Sequence, residues 1–413
     1  MNKPRIGMVL DAVYPNDVRL QKEMSALHAA GFEVHLLCGT RPGLPTEEFI
    51  DGAFVFRAEI YMDTKSKGWR DIFSAVRFVN KPFEHAMMAW VKEKNIEVLH
   101  IHDLPLAKTG KRVADRFGIP WVLDLHENYP EGLKTWFEWR TSPLIRLKNR
   151  IFFNYNRWLK YERWAVQNAP KIIAVVDEMA ERLVSFHGAK AECIHVVSNT
   201  ESVEFIKNFE AGEELHLLPK EKFNITYVGG MGPHRGLDTA IKAMPEILAS
   251  LPQAQLNLVG SGNKDVLDKL KALVDELKLQ ESVKFYGQRP FKEVVHFMKS
   301  SEVNIIPHVQ NEHTNNTIPH KLFQIMMSGA PLLVSDCRPL ARIVNQSDGG
   351  YIFEASNPHD FAKKALEMHQ NPQKTTQKTK NALLSVEKEF NWEKTVEVLF
   401  GVYGGEMSER ESE

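Results

Sequence analysis

The sequence predicts an α/β protein with two doubly wound halves, each a mostly parallel sheet covered by helices. Strand-length apolar runs alternate with helix-length amphipathic segments over nearly all 413 residues, which is the pattern of such a sheet. The alternation pauses once, at a polar stretch over 202–222, and then restarts. A break of this kind separates domains, so we predict two Rossmann-like domains that face a central ligand crevice.

The first half contains six predicted strands. A helix over 17–32, ended by Gly31, follows the first strand, and further helices separate the others. The predicted strands are 5–13, 33–38, 97–103, 120–127, 171–177 and 194–200. They define a predicted N-terminal domain over 1–205.

The second half repeats the same alternation after the polar stretch. Its predicted strands are 224–230, 255–262, 282–288, 303–308, 331–336 and 349–353. They define a predicted C-terminal domain over 206–389, and a last segment over 390–413 follows it.

Composition and charge favour a globular enzyme. The hydrophobic content of 43% and the charged content of 25% are ordinary for that class, and the net charge of −1 argues against a nucleic-acid binder. Cys38, Cys193 and Cys337 lie far apart without a CxxC pair, which predicts reduced thiols in a cytoplasmic protein. The start of the chain leads directly into a strand, so we expect no signal peptide. No apolar run approaches the roughly 20 residues that a membrane span requires.

The loop over 229–236 connects a predicted strand to a helix. Gly229 and Gly230 would let the backbone approach an anion closely, and Arg235 stands just before the helix. A helix N-terminus offers free N–H groups and a positive dipole end, so this junction suits a phosphate. The alternative is an ordinary glycine-rich turn with a solvated arginine.

A second strand-to-helix junction lies within 303–336. Lys321 falls in the first turn of the predicted helix, which is unfavourable for a cation unless an anion is bound there. Gln324 lies on the same helix face at i, i+3. We therefore predict a diphosphate held between the two loops, as in a nucleotide-sugar site; the alternative is an exposed Lys/Gln pair.

Three further motifs carry weaker signals. The turn with Gly260 and Gly262 fits a nucleotide site, although such turns are common in α/β folds. The His-Ile-His-Asp run over 100–103 could chelate a metal, but no partner cluster with fixed spacing lies nearby in the sequence, so we expect no metal. His126 ends a predicted strand, where a neutral imidazole could bind a sugar; the alternative is a structural histidine.

The segment over 136–164 interleaves aromatic and basic residues. Its cations are Arg140, Arg146, Lys148, Arg150, Arg157, Lys160 and Arg163, among Trp136, Trp139, Phe152, Phe153, Tyr155 and Trp158. This mixture suits a peripheral contact with the inner face of a membrane. It also suits a long helix with its aromatic side chains in the core and its cations in water, which is the interpretation that we favour.

Taken in order, these segments resemble retaining glycosyltransferases of the GT-B fold, in particular glycosyltransferase family 4. The resemblance covers nearly the whole chain. It rests on the motifs at 14–34, 100–107, 124–131, 160–200, 227–243, 258–262, 283–288, 317–336 and 390–403. It implies that the helix within 390–413 crosses back to the N-terminal domain, and that a nucleoside-diphosphate sugar is the co-substrate, with no cofactor and no metal.

The resemblance also implies roles for individual residues. His126 matches the histidine that contacts the transferring sugar, and Arg235 matches a basic residue on the donor diphosphate. Gln324 and Asn316 stand where the family has two glutamates, and Gly230 stands where it has a second basic residue. The candidate donor-binding residues are Gly229, Gly230, Gly260, Gly262, Gln288, Asn316, Thr317, Ile318 and Gln324, and the catalytic candidates are His126, Arg235 and Lys321. The candidate acceptor-side residues are Asp17, Arg19, Asp103 and Glu127.

We therefore expect transfer of a sugar, with retention of configuration, to a glycan or lipid-linked acceptor in surface polysaccharide or glycoconjugate biosynthesis. The departures at 316 and 324 leave a non-catalytic nucleotide-sugar or glycan-binding relative as one alternative. A nucleotide-sugar 2-epimerase of the same fold is another, although it would need acid/base carboxylates that the sequence does not identify. A glutamate at position 324 is expected to keep or improve ribose binding, because a carboxylate accepts two hydroxyl hydrogen bonds.

Overall fold

The computed structural model describes residues 3–15, 17–137, 143–205, 215 and 217–409. The chain divides into two compact units. The first comprises Met1–Ser198 and Thr395–Glu413, and the second comprises Asn199–Lys394. Each unit contains one mainly parallel sheet with helices between its strands, so the predicted fold class is confirmed.

The first unit contains an eight-stranded sheet in the order β3-β4-β2-β1-β5-β6-β7-β8. Its strands are β1 (Arg5–Val13), β2 (Glu33–Thr40), β3 (Glu47–Ile50), β4 (Ala53–Tyr61), β5 (Val98–His102), β6 (Trp121–Leu125), β7 (Lys171–Ala174) and β8 (Ile194–Val196). Its helices are α1 (Val18–Ala29), α2 (Thr64–Arg77), α3 (Lys81–Lys94), α4 (Ala107–Phe117), α5 (Tyr129–Phe137), α6 (Pro143–Phe152), α7 (Tyr155–Asn168) and α8 (Asp177–His187). Strand β1 lies between β2 and β5, so the sheet order reverses at β1 and ligand-binding loops are expected at its carboxyl end.

Strands β3 and β4 were not among the predicted elements. They form an antiparallel hairpin in which Ile50 pairs with Ala53. Asp51 and Gly52 connect them with positive φ angles of 51° and 79°. An Asp-Gly pair between strands is a strong hairpin signal because both residues tolerate that conformation. The signal was therefore present in the sequence.

The second unit contains a six-stranded, wholly parallel sheet in the order β11-β10-β9-β12-β13-β14. Its strands are β9 (Phe223–Val228), β10 (Ala254–Val259), β11 (Val283–Gly287), β12 (Val303–Ile306), β13 (Leu332–Ser335) and β14 (Tyr351–Phe353). The helices that follow are α9 (Leu237–Ser250), α10 (Lys264–Glu276), α11 (Phe291–Lys299), α12 (Lys321–Met327), α13 (Arg338–Ser347), α14 (Pro358–Gln370), α15 (Pro372–Lys388) and α16 (Trp392–Glu409). The order reverses between β9 and β12, which places the loops after these strands at the expected ligand position.

The two central strands of the second sheet are buried along their whole length. Every residue of β9 and of β12 is buried, as both faces of a parallel sheet are covered by helices. Apolar residues of α9 and α14 complete the core on one side. This packing fixes the carboxyl ends of β9 and β12 and hence the loops that leave them.

The last helix returns to the first unit. In α16, the side chains of Leu399, Val402 and Tyr403 are fully buried, and the Tyr403 hydroxyl lies 2.5 Å from His100 Nδ1. Lys171 Nζ donates to the Val402 carbonyl at 2.5 Å. Across the described ranges, every helix is too short or too polar to cross a bilayer.

Candidate functional site

The buried ammonium group of Lys321 is the most unusual feature of the second unit. Lys321 is the first residue of α12, and its Nζ lies 3.8 Å from the centroid of the Tyr227 ring. This nitrogen is inaccessible to solvent and has no hydrogen-bond partner among the described residues. Burial lowers the pKa of Lys321 well below its usual range, and the charge of Arg235 lowers it further. A buried cation without a partner is costly, so the site suits an anionic ligand.

Gly229 makes room for this ammonium group. Its φ is +129°, and a Cβ at this position would lie 2.7 Å from Lys321 Nζ. The Tyr227 hydroxyl donates to the carbonyl of Gly230 at 2.6 Å, which fixes the loop after β9. Gly230 itself is exposed, and a Cβ added there would meet open space, so the loop is open on that side.

Arg235 lies in the same loop, immediately before α9. Its Nη1 donates to His308 Nε2 at 2.8 Å. Burial, followed by the charge of Arg235, lowers the pKa of His308 well below its usual range, so His308 is neutral and accepts this hydrogen bond. Burial and Arg235 also lower the pKa of His234 to about 3. Within the described ranges neither Arg235 nor Lys321 forms an ion pair, so both side chains are available to an anionic ligand.

The loops after β9 and β12 pack against each other. Gly236 has a φ of +64°, and a Cβ there would lie 1.8 Å from the Pro307 carbonyl oxygen. The backbone N–H of Val309 donates to the His234 carbonyl at 3.0 Å. Only glycine permits this approach, which explains how residues 73 positions apart, Arg235 and His308, meet.

The predicted helix end at Lys321 contributes less than the sequence suggested. Helix α12 has only seven residues, and a helix of two turns has a weak dipole. We therefore base the anion site on the charges of Lys321 and Arg235 rather than on this helix end. The prediction that a diphosphate binds here stays a prediction.

Gly260 and Gly262 have packing roles. Gly260 has a φ of +138°, and a Cβ would lie 2.0 Å from the Gly229 carbonyl oxygen. A Cβ at Gly262 would lie 2.5 Å from the Met231 carbonyl oxygen. These glycines hold the loop after β10 against the loop after β9. Gln288, the remaining donor candidate from this side of the sheet, is exposed directly after β11.

The segment before α12 is held by its own side chains. Asn316 is buried, and its Nδ2 donates to the Glu312 carbonyl at 2.6 Å. The Thr317 hydroxyl donates to the His313 carbonyl at 2.9 Å, and Ile318 is buried. The Asn316 amide nitrogen is therefore bonded to its own loop, whereas its Oδ1 is buried without a hydrogen-bond partner among the described residues, and a ligand role for Asn316 stays a prediction.

Gln324 has a carboxylate partner that was not predicted from the sequence. Its Nε2 donates to Glu201 Oε2 at 3.0 Å, and His320 Nε2 lies 2.9 Å from the same oxygen. Both Gln324 and Glu201 are buried. Glu201 is 123 positions away along the chain, so no local pattern could have indicated this pair. The second unit thus has a carboxylate beside the position where the family carries its second glutamate.

In the first unit, His126 belongs to a buried network at the carboxyl ends of β5 and β6. Its Nε2 lies 3.1 Å from His102 Nδ1 and 3.3 Å from Asp124 Oδ2. Asp124 is also 3.3 Å from His100 Nε2. His102 and Asp124 are neighbours in register across the two parallel strands, which explains why these side chains meet.

The network protonates His126, in contrast to the neutral imidazole expected from the sequence. Burial lowers the pKa of His126, but the charges of Asp103 and Asp124 outweigh it and raise the pKa to about 10. Burial and the neighbouring His100 lower the pKa of His102 to about 3. At neutral pH the proton therefore resides on His126, which can act only as a hydrogen-bond donor.

The structure gives two acceptor-side candidates structural roles instead. Asp17 caps α1, since its carboxylate accepts the Leu20 N–H at 3.1 Å. Arg19, with a side chain only 8% exposed, pairs with Glu23 at 3.0 Å and with Asp124 at 3.1 Å. These two carboxylates neutralise the charge of Arg19, and its role towards the acceptor stays a prediction.

The other two acceptor-side candidates remain accessible. Asp103 has a φ of 68°, and its side chain is 37% exposed. Its Oδ1 lies 3.8 Å from His126 Nδ1. Glu127 is half-buried. The Asp103 carboxylate therefore lies beside His126, and a substrate-facing role for Asp103 and Glu127 stays a prediction.

We expected the histidines of β5 to lack metal-binding partners. This expectation was wrong, because the fold brings carboxylates from other elements close to them. Glu23, His100, His102 and Asp124 each place one donor atom within 4.8 Å of the others, and all four are buried. Glu23 comes from α1, far away in the sequence. The guanidinium of Arg19 already contacts both carboxylates, so their negative charge has a counter-ion without a metal.

The shifted pKa of His126 predicts a pH dependence of stability. A folded-state pKa of about 10 exceeds the unfolded value near 6.5, so the stabilisation is complete below about pH 6.5 and is lost as pH rises through about 10. We expect the parent to exceed His126→Gln in unfolding free energy by on the order of 2 kcal/mol at pH 6, with the difference shrinking towards pH 10. Urea unfolding at several pH values measures this difference. A difference that stays constant over this range would contradict the assigned protonation.

Comparisons with known proteins agree with this architecture. Residues 17–200 match the glycosyl transferase 4-like domain, and residues 209–384 match the family described as glycosyl transferases group 1. A D-inositol 3-phosphate glycosyltransferase of Acidothermus cellulolyticus is 24% identical over 328 residues, covering 76% of this chain and 68% of the relative.

Solved structures show the same fold over the whole length. Sucrose-phosphate synthase of Thermosynechococcus elongatus has a TM-score of 0.77 at 18% identity, covering 98% of this chain and 100% of that chain. The Anabaena protein HepE, solved in complex with UDP-glucose, has a TM-score of 0.66 at 15% identity, covering 98% of this chain and 100% of that chain. At these identities the structural likeness establishes the fold alone.

Proposed function

We propose that this chain, which belongs to the group 1 glycosyltransferases, transfers a sugar from a nucleoside-diphosphate sugar to an acceptor hydroxyl with retention of configuration. The observation that carries the donor assignment is the buried Lys321 ammonium group, which has no hydrogen-bond partner among the described residues. Arg235 adds a second charge from the same side of the sheet. A diphosphate supplies negative charges that can pair with both Lys321 and Arg235.

The cations act on the leaving group. As the bond between the anomeric carbon and the diphosphate oxygen breaks, negative charge grows on the diphosphate. Lys321 and Arg235 stabilise that charge more strongly than they stabilise the intact donor, because the Lys321 ammonium group is buried and the Arg235 guanidinium is held by His308. His308 holds the Arg235 guanidinium in place by accepting a hydrogen bond from one of its N–H groups. The family resemblance implies that the acceptor proton passes to the departing phosphate oxygen as the new glycosidic bond forms.

His126 is proposed to bind the transferring sugar. Its protonated ring donates hydrogen bonds, and Asp103 and Asp124 maintain that protonation. A donor aimed at a sugar hydroxyl orients the ring as positive charge develops at the anomeric carbon. Asp124 is held by Arg19 and His100, so the imidazolium is fixed by several contacts.

The acceptor is proposed to be a glycan or a lipid-linked sugar, in surface polysaccharide or glycoconjugate biosynthesis. No metal is required in this scheme, since Lys321 and Arg235 supply the positive charge. Membrane contact through 136–164 is part of the same proposal, and residues 138–142 of that segment lie outside the described ranges. HepE, in complex with UDP-glucose, supports a nucleotide-sugar donor.

A non-catalytic nucleotide-sugar-binding protein is the second candidate. It is favoured by Asn316, whose amide is bonded to its own loop at the position of the family's first glutamate. Incubation with UDP-, GDP- and ADP-sugars and mixed acceptors separates the candidates. We expect release of one nucleoside diphosphate and a product whose anomeric coupling in NMR equals that of the donor. Binding without release would support the second candidate, an inverted product would refute retention, and release of a 2-epimer without acceptor would indicate an epimerase.

The contact between Gln324 and Glu201 changes the expectation for Gln324→Glu. A glutamate would place two carboxylates about 3 Å apart in a buried site, where like charges repel. We expect Gln324→Glu to weaken binding of the nucleoside diphosphate by roughly tenfold or more. Glu201→Gln combined with Gln324→Glu exchanges the two groups and should restore affinity to within a few-fold of the parent. Titration calorimetry measures both variants, and tight binding by Gln324→Glu alone would show that the pair lies away from the nucleotide.

A further inference from the structure

Helix α2 exposes large apolar side chains along one side. Trp69, Phe73 and Val76 recur at i, i+4 and i+7, and their side chains are 64%, 71% and 52% exposed. The rings of Trp69 and Phe73 stack with their centroids 6.2 Å apart. A soluble surface rarely presents such a row of large apolar groups without a function.

Helix α6 exposes a second row beside the first. Leu144, Leu147 and Ile151 recur at i, i+3 and i+7, and their side chains are 80%, 56% and 54% exposed. The two helices contact each other within the first unit. We call these six side chains the α2–α6 face. An open groove of about 420 Å³, lined in part by Ile60, Tyr61, Phe73 and Val79, continues its apolar surface.

Cations surround the α2–α6 face. Helix α6 contributes Arg146, Lys148 and Arg150 and contains no acidic residue. Helix α2 contributes the exposed side chains of Lys65 and Arg77. Lys67 does not add to this positive charge, because Asp11 and Asp71 neutralise it. The face is thus an apolar surface whose two helices carry cations, and the adjoining groove also includes Glu59.

The aromatic residues of α7 do not belong to this surface. Trp158 and Tyr161 are buried, and the Tyr161 ring stacks on Phe78 with centroids 4.0 Å apart. Arg157 Nη2 donates to the carbonyl of Val76 at 2.6 Å, which joins α7 to the end of α2. For helix α7, the aromatic side chains therefore belong to the core. The membrane interpretation applies instead to α6 and to α2, and the sequence of α2 had not indicated such a role.

We propose that the α2–α6 face docks onto an anionic lipid bilayer, with its apolar side chains at the acyl boundary and its cations at the lipid headgroups. Amphipathic helices with tryptophan or leucine on one face and lysine or arginine beside it bind membranes in this way. A second copy of this chain fits less well, because a twofold contact would bring the same cations together. The proposal rests on the membrane contact included in the proposed function and assigns its surface, but vesicle binding can fail or succeed independently of the transfer reaction.

Vesicle flotation with the full chain tests this proposal. Vesicles of phosphatidylcholine with about one third phosphatidylglycerol should bind the parent at about 0.05 M salt, and binding should fall at least about tenfold at about 0.5 M. Pure phosphatidylcholine should bind it weakly. Replacing Trp69, Phe73, Leu144 and Leu147 together by serine should lower binding at least about tenfold, while Arg146→Gln with Arg150→Gln should lower it about tenfold at low salt only.

A matched control replaces exposed apolar residues elsewhere. Leu384→Ser with Val398→Ser should leave vesicle binding within about twofold of the parent, since these side chains, 49% and 39% exposed, lie outside the face. Thermal unfolding of all variants should resemble that of the parent because the replaced side chains are exposed. The proposal is overturned if the parent ignores anionic vesicles at low salt, or if the serine variant binds like the parent. It is equally overturned if light scattering shows a parent dimer that the serine substitutions dissociate.

Discussion

Replacing Lys321 by methionine is expected to lower donor turnover by about two to three orders of magnitude while making the ligand-free protein more stable. Turnover falls because the variant lacks the charge that meets the leaving diphosphate. Stability rises because methionine keeps the stem and contacts Tyr227 without burying an unpartnered cation. The lowered pKa of Lys321 means that the folded state disfavours its charged form, so the gain is largest below the unfolded lysine pKa of about 10.4.

Steady-state kinetics and calorimetric unfolding measure these two effects. We expect the unfolding midpoint of the ligand-free variant to rise by a few degrees, about 1 kcal/mol or more in free energy. Lys264→Met is the matched control, since Lys264 also begins a helix but is 85% exposed and pairs with Asp268. That control should change neither quantity. Combining Lys321→Met with Arg235→Gln should nearly abolish transfer, and near-normal turnover in the double variant would place the diphosphate elsewhere.

His126→Ala is expected to lower transfer by roughly a hundredfold or more while leaving nucleoside-diphosphate affinity within a few-fold of the parent. The proposed contact is to the sugar, so a nucleotide without sugar does not use it. The protonated ring, held by Asp124 and Asp103, donates a hydrogen bond to a sugar hydroxyl and so positions the sugar for transfer. Single-turnover kinetics and nucleotide titration measure the two quantities separately.

Two further variants serve as controls for that experiment. His126→Gln retains a hydrogen-bond donor without the charge, and it should recover part of the lost rate if the donor matters. His359→Ala removes an exposed histidine paired with Glu246 and should leave both quantities unchanged. Unimpaired transfer in His126→Ala, or an equal loss of nucleotide affinity, would refute the role assigned to His126.

The fold was predictable because its signal is local. Each central strand is a buried apolar run bounded by turn residues, and β1, the first predicted strand, coincides with the observed span Arg5–Val13. Strand ends were less certain, since the run over 171–177 divides into β7 and the start of α8 at Asp177. Strands β3 and β4 were missed although the Asp-Gly turn at 51–52 indicated a hairpin, because the short edge strand β3 contains no buried residue that would mark it as part of the core.

The candidate site was predictable only in part, because its key contacts join distant residues. The sequence indicated Arg235 and Lys321, but it could not show that Lys321 lacks a partner among the described residues or that His308 holds Arg235. It identified His126 without its protonation, which depends on Asp103 and Asp124.

The ion pairs of Arg19 could not be predicted for the same physical reason. Arg19 lies on a helix beside the strand ends, where an exposed arginine would meet a ligand, yet Glu23 and Asp124 bury it. Charges that pair across 105 positions leave no periodic trace in the sequence. Glu201, the partner of Gln324, escaped notice in the same way.

The central claim is that Lys321 and Arg235 hold the diphosphate of the donor. A crystal structure of the chain soaked with the nucleoside diphosphate that it releases tests this claim most directly. We expect a phosphate oxygen within about 3 Å of Lys321 Nζ and another within about 3 Å of the Arg235 guanidinium. A diphosphate bound elsewhere, with Lys321 still lying over Tyr227 without a hydrogen-bond partner, would contradict the claim.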